Sequence, residues 1–195
     1  MNVSYTAIIQ SSRVTEKTCA VLLERALPCD PGYIPKSVSP ASFALLRAVL
    51  QRLIPQPKGE DFVDIAISLD IRRSEGSGDG WRYASMPPDH LALRLGLELM
   101  EIAAKNQYGV AFISMDQTKQ DALLGQVQKG KNAGAWAELN ARKWFEDLLA
   151  EAIEIYVSHP STLSAMSFSG IAFLPEWPQI GLNTAQAWEP ASDET

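Results

Sequence analysis

At 195 residues, with 46% apolar and 21% charged side chains, the chain is long enough to bury a hydrophobic core and has an ordinary globular composition. Its formal net charge is -6 and its densest basic site is Lys129 and Lys131 among glycines, which excludes a nucleic-acid partner, since that needs a concentrated basic face. No apolar stretch approaches the about 20 residues that span a bilayer, so direct membrane insertion is not expected.

Residues 1–14 mix Val3, Tyr5, Ile8 and Ile9 with polar residues and suit a short strand or an unattached arm. Thr15 is placed to cap a helix over Glu16–Leu27 that Pro28 ends. The following PCDPGYIP, residues 28–35, holds three prolines and a glycine and reads as an extended linker. Ser39-Pro40 is a helix start, with Phe43, Leu46, Val49, Leu50, Leu53 and Ile54 at helical spacing until Pro55 and Pro57. Asp61–Ile71 reads as a short helix, although the alternation in VDIAISLDI also permits a strand. SEGSGDG, residues 74–80, reads as a surface loop.

Pro88-Asp89 opens a helix to about Asn106, whose broad apolar arc (Leu91, Leu93, Leu95, Leu97, Leu99, Met100, Ile102) suits packing on more than one side. Ser114 and Gln117 have capping-box spacing ahead of a helix with Leu123, Leu124 and Val127 inward. Residues 129–134, KGKNAG, form a turn. A last helix, about Ala135–Ser158, carries Trp144, Phe145, Leu148, Ala152, Ile155 and Tyr156 on one stripe, with Glu138 and Arg142 four apart on its outer face, and ends at Pro160. The pattern predicts an all-α fold: a small, irregular helical domain of about five helices. An N-terminal arm with a short helix and proline-rich linker (1–38) precedes the helical body (39–160), and an extended, non-regular aromatic tail (161–195) follows it.

Candidate catalytic groups are few. Of the two histidines, His90 stands in a first helical turn beside Asp89, where the pair suits either a tuned base or an exposed capping-region residue. His159 follows a helix end, where a cation complements the dipole. Glu98/Glu101 and Glu151/Glu154 have i, i+3 spacing but lack the histidines of a helical di-iron site, and read as face charges. Gly76, Gly78 and Gly80 do not open a helix as a phosphate cradle does, and no G-x-S-x-G occurs. No catalytic, cofactor-binding or metal-binding residue is therefore assigned. Cys19 and Cys29 match neither a CxxC pair nor a zinc spacing; they read as two thiols, with a local disulfide the alternative in an exported chain. The best signal-like run, Cys19–Leu27, is interrupted by Glu24 and Arg25, and Arg72-Arg73 lies mid-chain with no apolar run after it. A cytoplasmic location is expected, or a periplasmic one if a partner exports the pair.

The tail is the most informative stretch. Its Phe168, Phe173, Trp177, Ile180 and Trp188, spaced by Pro175 and Pro178, cannot form a regular helix and are too apolar for a solvated segment. Such a tail either folds back over its own helices or lies in a groove of another protein, where aromatic anchors dominate binding. Tyr33 in the linker, and Tyr156 and Pro160 at the end of the last helix, join these five as candidate partner contacts.

The ordered segments FALLRAVLQRLIP (43–55), HLALRLGLELMEIAAKNQYGVAFISMDQTKQDALLGQV (90–127), KWFEDLLAEAIEIYVSHP (143–160) and WPQIGL (177–182) give the chain its resemblance to a family. It resembles the gluconate 2-dehydrogenase subunit 3 family, small subunits of membrane- or cytochrome-linked sugar dehydrogenases. The resemblance implies a non-catalytic subunit that binds, stabilises and helps mature a large flavoprotein of the glucose-methanol-choline oxidoreductase class. That partner holds the FAD, and a cytochrome c subunit is a second candidate partner. Family members often supply a twin-arginine signal, which is not seen here; similar pairs that oxidise the 3-hydroxyl of glycosides fit a small subunit without one. The alternatives are a stand-alone helical ligand-binding or adaptor domain, and an enzyme using His90 and Asp89.

Overall fold

In a computed structural model, residues 7, 9–11, 14–27, 30–56, 59, 62–76, 83–131, 136–166 and 168 are described. Among them are seven α-helices and no strand, so the fold is all-α as expected. They are α1 (Glu16–Arg25), α2 (Pro40–Leu53), α3 (Ile65–Glu75), α4 (Asp89–Tyr108), α5 (Gln117–Gln128), α6 (Ala141–Val157) and α7 (Pro160–Ala165), with a 3-10 turn at Phe112–Ser114. The chain divides into a body of residues 29–156 and a second unit formed by residues 1–28 and 157–195. The linker read as part of the arm is thus built into the body.

Helix starts follow local chemistry. The Thr15 hydroxyl accepts from the Thr18 N–H, and Ser39 accepts from Ser42 with Pro40 at the first helical position. Helix α3 begins four residues later than the pattern suggested, because the Asp64 carboxylate accepts from the Ile67 N–H and so fixes the start. It runs on through Ser74 and Glu75, previously read as loop, to Gly76, whose φ of 65° ends the helix in the left-handed region. The cap of α5 is Asp116, which accepts from the Lys119 N–H at 3.0 Å; Ser114 is taken up by the 3-10 turn. Helix α6 starts at Ala141, where the Asn140 side chain accepts from the Lys143 N–H at 3.0 Å, and Trp136–Leu139 form a turn. Glu138 therefore precedes the helix, and Arg142 pairs instead with Glu146 at 2.8 Å.

The body has one continuous core, and α4 contributes most to it. Ala92, Leu93, Gly96, Leu97, Leu99, Met100, Ala103 and Ala104 are all buried, which explains the broad apolar arc. Helix α2 packs on α3, α4, α5 and the 3-10 turn. Phe112 in that turn is fully buried, its N–H donating to Glu101 and its carbonyl accepting from the Gln120 side chain at 3.0 Å. Trp144 of α6 covers Gly96 of α4, and Trp136 lies against it with ring centroids 5.2 Å apart. A Cβ at position 96 would stand 2.0 Å from the Trp144 indole nitrogen, so only glycine permits this approach.

The second unit has a smaller cluster of its own, Ile9 and Leu22 with Cys19 and Leu163 against them. Cys19 is a free thiol. Residues 160–165 are helical where an extended tail was expected. Pro160 closes the preceding helix and, at the first position of α7, opens the next, its missing N–H being an orphan in any case.

Gly96→Ala should lower unfolding free energy by about 2 kcal/mol or more through overpacking against Trp144. A thermal melt of the variant beside the unsubstituted chain measures this, and an unchanged midpoint would contradict the contact.

Candidate partner-binding surface

The best-ordered polar feature of the body is a buried carboxylate. Asp70 of α3 is 0% exposed and accepts four hydrogen bonds from the linker. The Tyr33 hydroxyl donates at 2.6 Å, the Lys36 N–H at 2.7 Å, the Ser37 N–H at 3.0 Å, and the Ser37 hydroxyl also donates. Burial pushes the Asp70 carboxyl up, but these four donors outweigh it and hold the group below the ordinary carboxylate range. Burial, and then the hydrogen bond to Asp70, push the Tyr33 phenol up.

This fixes the linker's two faces. Tyr33 turns inward, packing on Phe43 with centroids 5.6 Å apart, while its neighbour Ile34 stands 77% exposed. Asp70 anchors both sides of Ile34, through Tyr33 and the Lys36 N–H. Of the two, the residue free to contact a partner is Ile34, which sequence reading passed over in favour of Tyr33.

A second feature lies between α2 and α4. Ala41, Ser42, Ala44, Leu45, Leu97, Glu98, Glu101, Ile102, Lys105, Ala111 and Ile113 line an open groove of about 460 Å³. Ile102 is 47% exposed and Ile113 is 55% exposed, so the groove is apolar and unfilled by its own side chains. Glu101 is engaged internally, accepting from the Phe112 N–H at 3.1 Å and pairing with Lys105 at 3.2 Å.

The other charged candidates are occupied structurally. Arg73 of α3 pairs with Glu151 of α6 and with Asp89 at 3.7 Å, and Arg72 bonds Glu154 at 3.1 Å. The mid-chain arginine pair is therefore a clamp between helices. Burial pushes the Glu151 carboxyl up, against the pull of both arginines. Asp89 faces Arg73, and His90 beside it is exposed. His159 caps α7, its Nδ1 accepting from the Ser161 N–H at 3.2 Å. Among the described residues no group of His, Cys, Asp and Glu could hold a metal, and no helix is long and apolar enough to cross a membrane.

The eight predicted partner contacts fare differently. Tyr33 and Tyr156 are half-buried against the body core, and Pro160 is buried. Phe168 is 48% exposed, its N–H donating to the Leu163 carbonyl at 2.9 Å. Phe173, Trp177, Ile180 and Trp188 lie outside the described residues. The groove residues escaped sequence reading because Ile102 and Ile113 each look like ordinary members of an apolar pattern.

A family model described as Gluconate 2-dehydrogenase subunit 3 matches residues 40–173. The match covers α2 to α7 and all of the groove, and stops short of the WPQIGL segment. No curated protein and no solved structure matches the chain.

The Asp70 anchor has a pH signature. Its folded-state pKa lies below the unfolded value of about 3.9, so its stabilisation is present above that value and is lost as pH falls through the folded pKa. Asp70→Ala, which strands the tyrosine and two backbone donors, should cost about 3 kcal/mol near neutral pH. Asp70→Asn should flatten the acid limb of the stability curve. Melts of both variants across the acid range measure these effects, and an acid limb unchanged in Asp70→Asn would contradict the anchor.

Proposed function

The chain belongs to the gluconate 2-dehydrogenase subunit 3 family, small subunits of dehydrogenase complexes, and we propose that it binds, stabilises and helps mature a large FAD-dependent sugar or glycoside dehydrogenase without catalysing the oxidation itself. The partner envisaged is a flavoprotein of the glucose-methanol-choline oxidoreductase type, and a cytochrome c subunit is a further candidate member of the complex. The observation that carries this reading is the family match over residues 40–173.

The chemistry of the body supports it. Oxidising a sugar hydroxyl needs a group to take the proton and a cofactor to take the hydride. Asp70 is committed to four linker donors, and Glu151 is committed to Arg73. Asp89 faces Arg73, and the His159 Nδ1 is used as a helix cap. Groups held in this way position helices rather than move protons. On this reading the FAD and the base belong to the partner. The chain also exposes large apolar side chains: Ile34, Ile102 and Ile113 on the body, with Val21, Leu23, Met166 and Phe168 on the second unit. Burying such surface favours the complex over the separate chains, and a ligand that binds only the folded partner stabilises it by mass action.

Affinity purification of the tagged chain from its native cells should bring down a yellow complex whose flavin absorbance bleaches on adding the correct sugar. A colourless, solitary chain that melts cooperatively as a monomer would overturn the proposal.

A further inference from the structure

The groove between α2 and α4 has a shape and a charge that specify its occupant. Ala41, Ala44 and Leu45 recur at i, i+3 and i+4 along α2, and Leu97, Glu101 and Lys105 recur every fourth residue along α4, with Glu98 and Ile102 beside them. Two helical ridges thus flank an apolar trough. Small alanines on one wall let another backbone come close, and the side chains of Ile102 and Ile113 stand free to interdigitate. This is the geometry that receives the apolar face of a third helix.

The rim supplies the second determinant. Glu101 and Lys105 neutralise each other. Glu98, one turn earlier, is exposed and has no hydrogen bond or ion pair among the described residues, Arg94 included. The unspent charge beside the trough is therefore negative, and it calls for a cation on the occupant. An anionic lipid surface is disfavoured by this carboxylate and by the chain's net charge of -6. A second copy is disfavoured because a two-fold interface sets the same acidic rim against itself. A small molecule is disfavoured because the trough is only half enclosed, whereas ligand pockets enclose most of their ligand.

We propose that this groove receives an amphipathic helix of the large dehydrogenase subunit, which lays its apolar side chains on Ile102, Ile113 and the α2 alanines and sets a Lys or Arg against Glu98. The proposal rests on the subunit reading above and adds the place and the chemistry of docking. The probe is the FAD-bearing large subunit, separated from the purified complex and titrated with variants of the chain. Ile102→Asp and Glu98→Lys should each weaken binding about tenfold or more while leaving the chain's melting midpoint in place, since both side chains are exposed. A photoreactive phenylalanine analogue at position 113, a third exposed site, should form its adduct within a helix of the flavoprotein that carries a basic residue. Unchanged affinity in both variants, or an adduct with a second copy of the chain, would overturn the groove assignment and leave the subunit reading standing. No binding by the unsubstituted chain would overturn both.

Discussion

The body of this protein depends on one buried carboxylate. Asp70 has no exposure to solvent, and its negative charge persists there because four donors from residues 33–37 converge on it. The same four bonds turn a proline-rich linker, which has no secondary structure of its own to satisfy its backbone, into a fixed part of the body. They deliver the chain to Ser39, where α2 is capped, and set Tyr33 on Phe43 in the first turn of that helix. Helix α2 in turn packs on α3, α4 and α5. The position of the linker, the start of α2 and the register of α3 are thus one linked set.

A second constraint acts at the other side of α4. Gly96 and Trp144 replace a side chain with an indole, bringing α6 close enough for Arg73 of α3 to pair with Glu151. An ion pair this shielded is costly to break, since loss of either partner leaves the other charge buried. Both devices use the chain's acids to hold helices. Among the large apolar residues left exposed on the body are Ile34, Ile102 and Ile113.

Much of the architecture was legible in the sequence because it is local. Thr15, Ser39-Pro40 and Pro88-Asp89 announce their helices with chemistry that acts within one turn. Errors arose where two local signals competed. Ser114 has the spacing of a cap, but the 3-10 turn claims it and Asp116 takes the role. Trp136 continues the apolar stripe of α6, yet Asn140 caps the helix so that it starts at Ala141, six residues after the expected Ala135. Asp70 could not be read at all, because its donors lie 33 to 37 residues away. The groove was equally hidden. Exposure of Ile102 and Ile113 depends on the spacing of α2 and α4, and no periodicity encodes that distance.

The family assignment and the physical reading meet in the same helices. Residues 40–173 include α2, α4 and the groove between them. Stabilising a large flavoprotein is the central claim, and it is tested most directly by the temperature at which the isolated large subunit releases its FAD, followed by flavin fluorescence with and without this chain. The account predicts a higher release temperature in the presence of the chain, increasing with its concentration. A release temperature indifferent to the chain would contradict it.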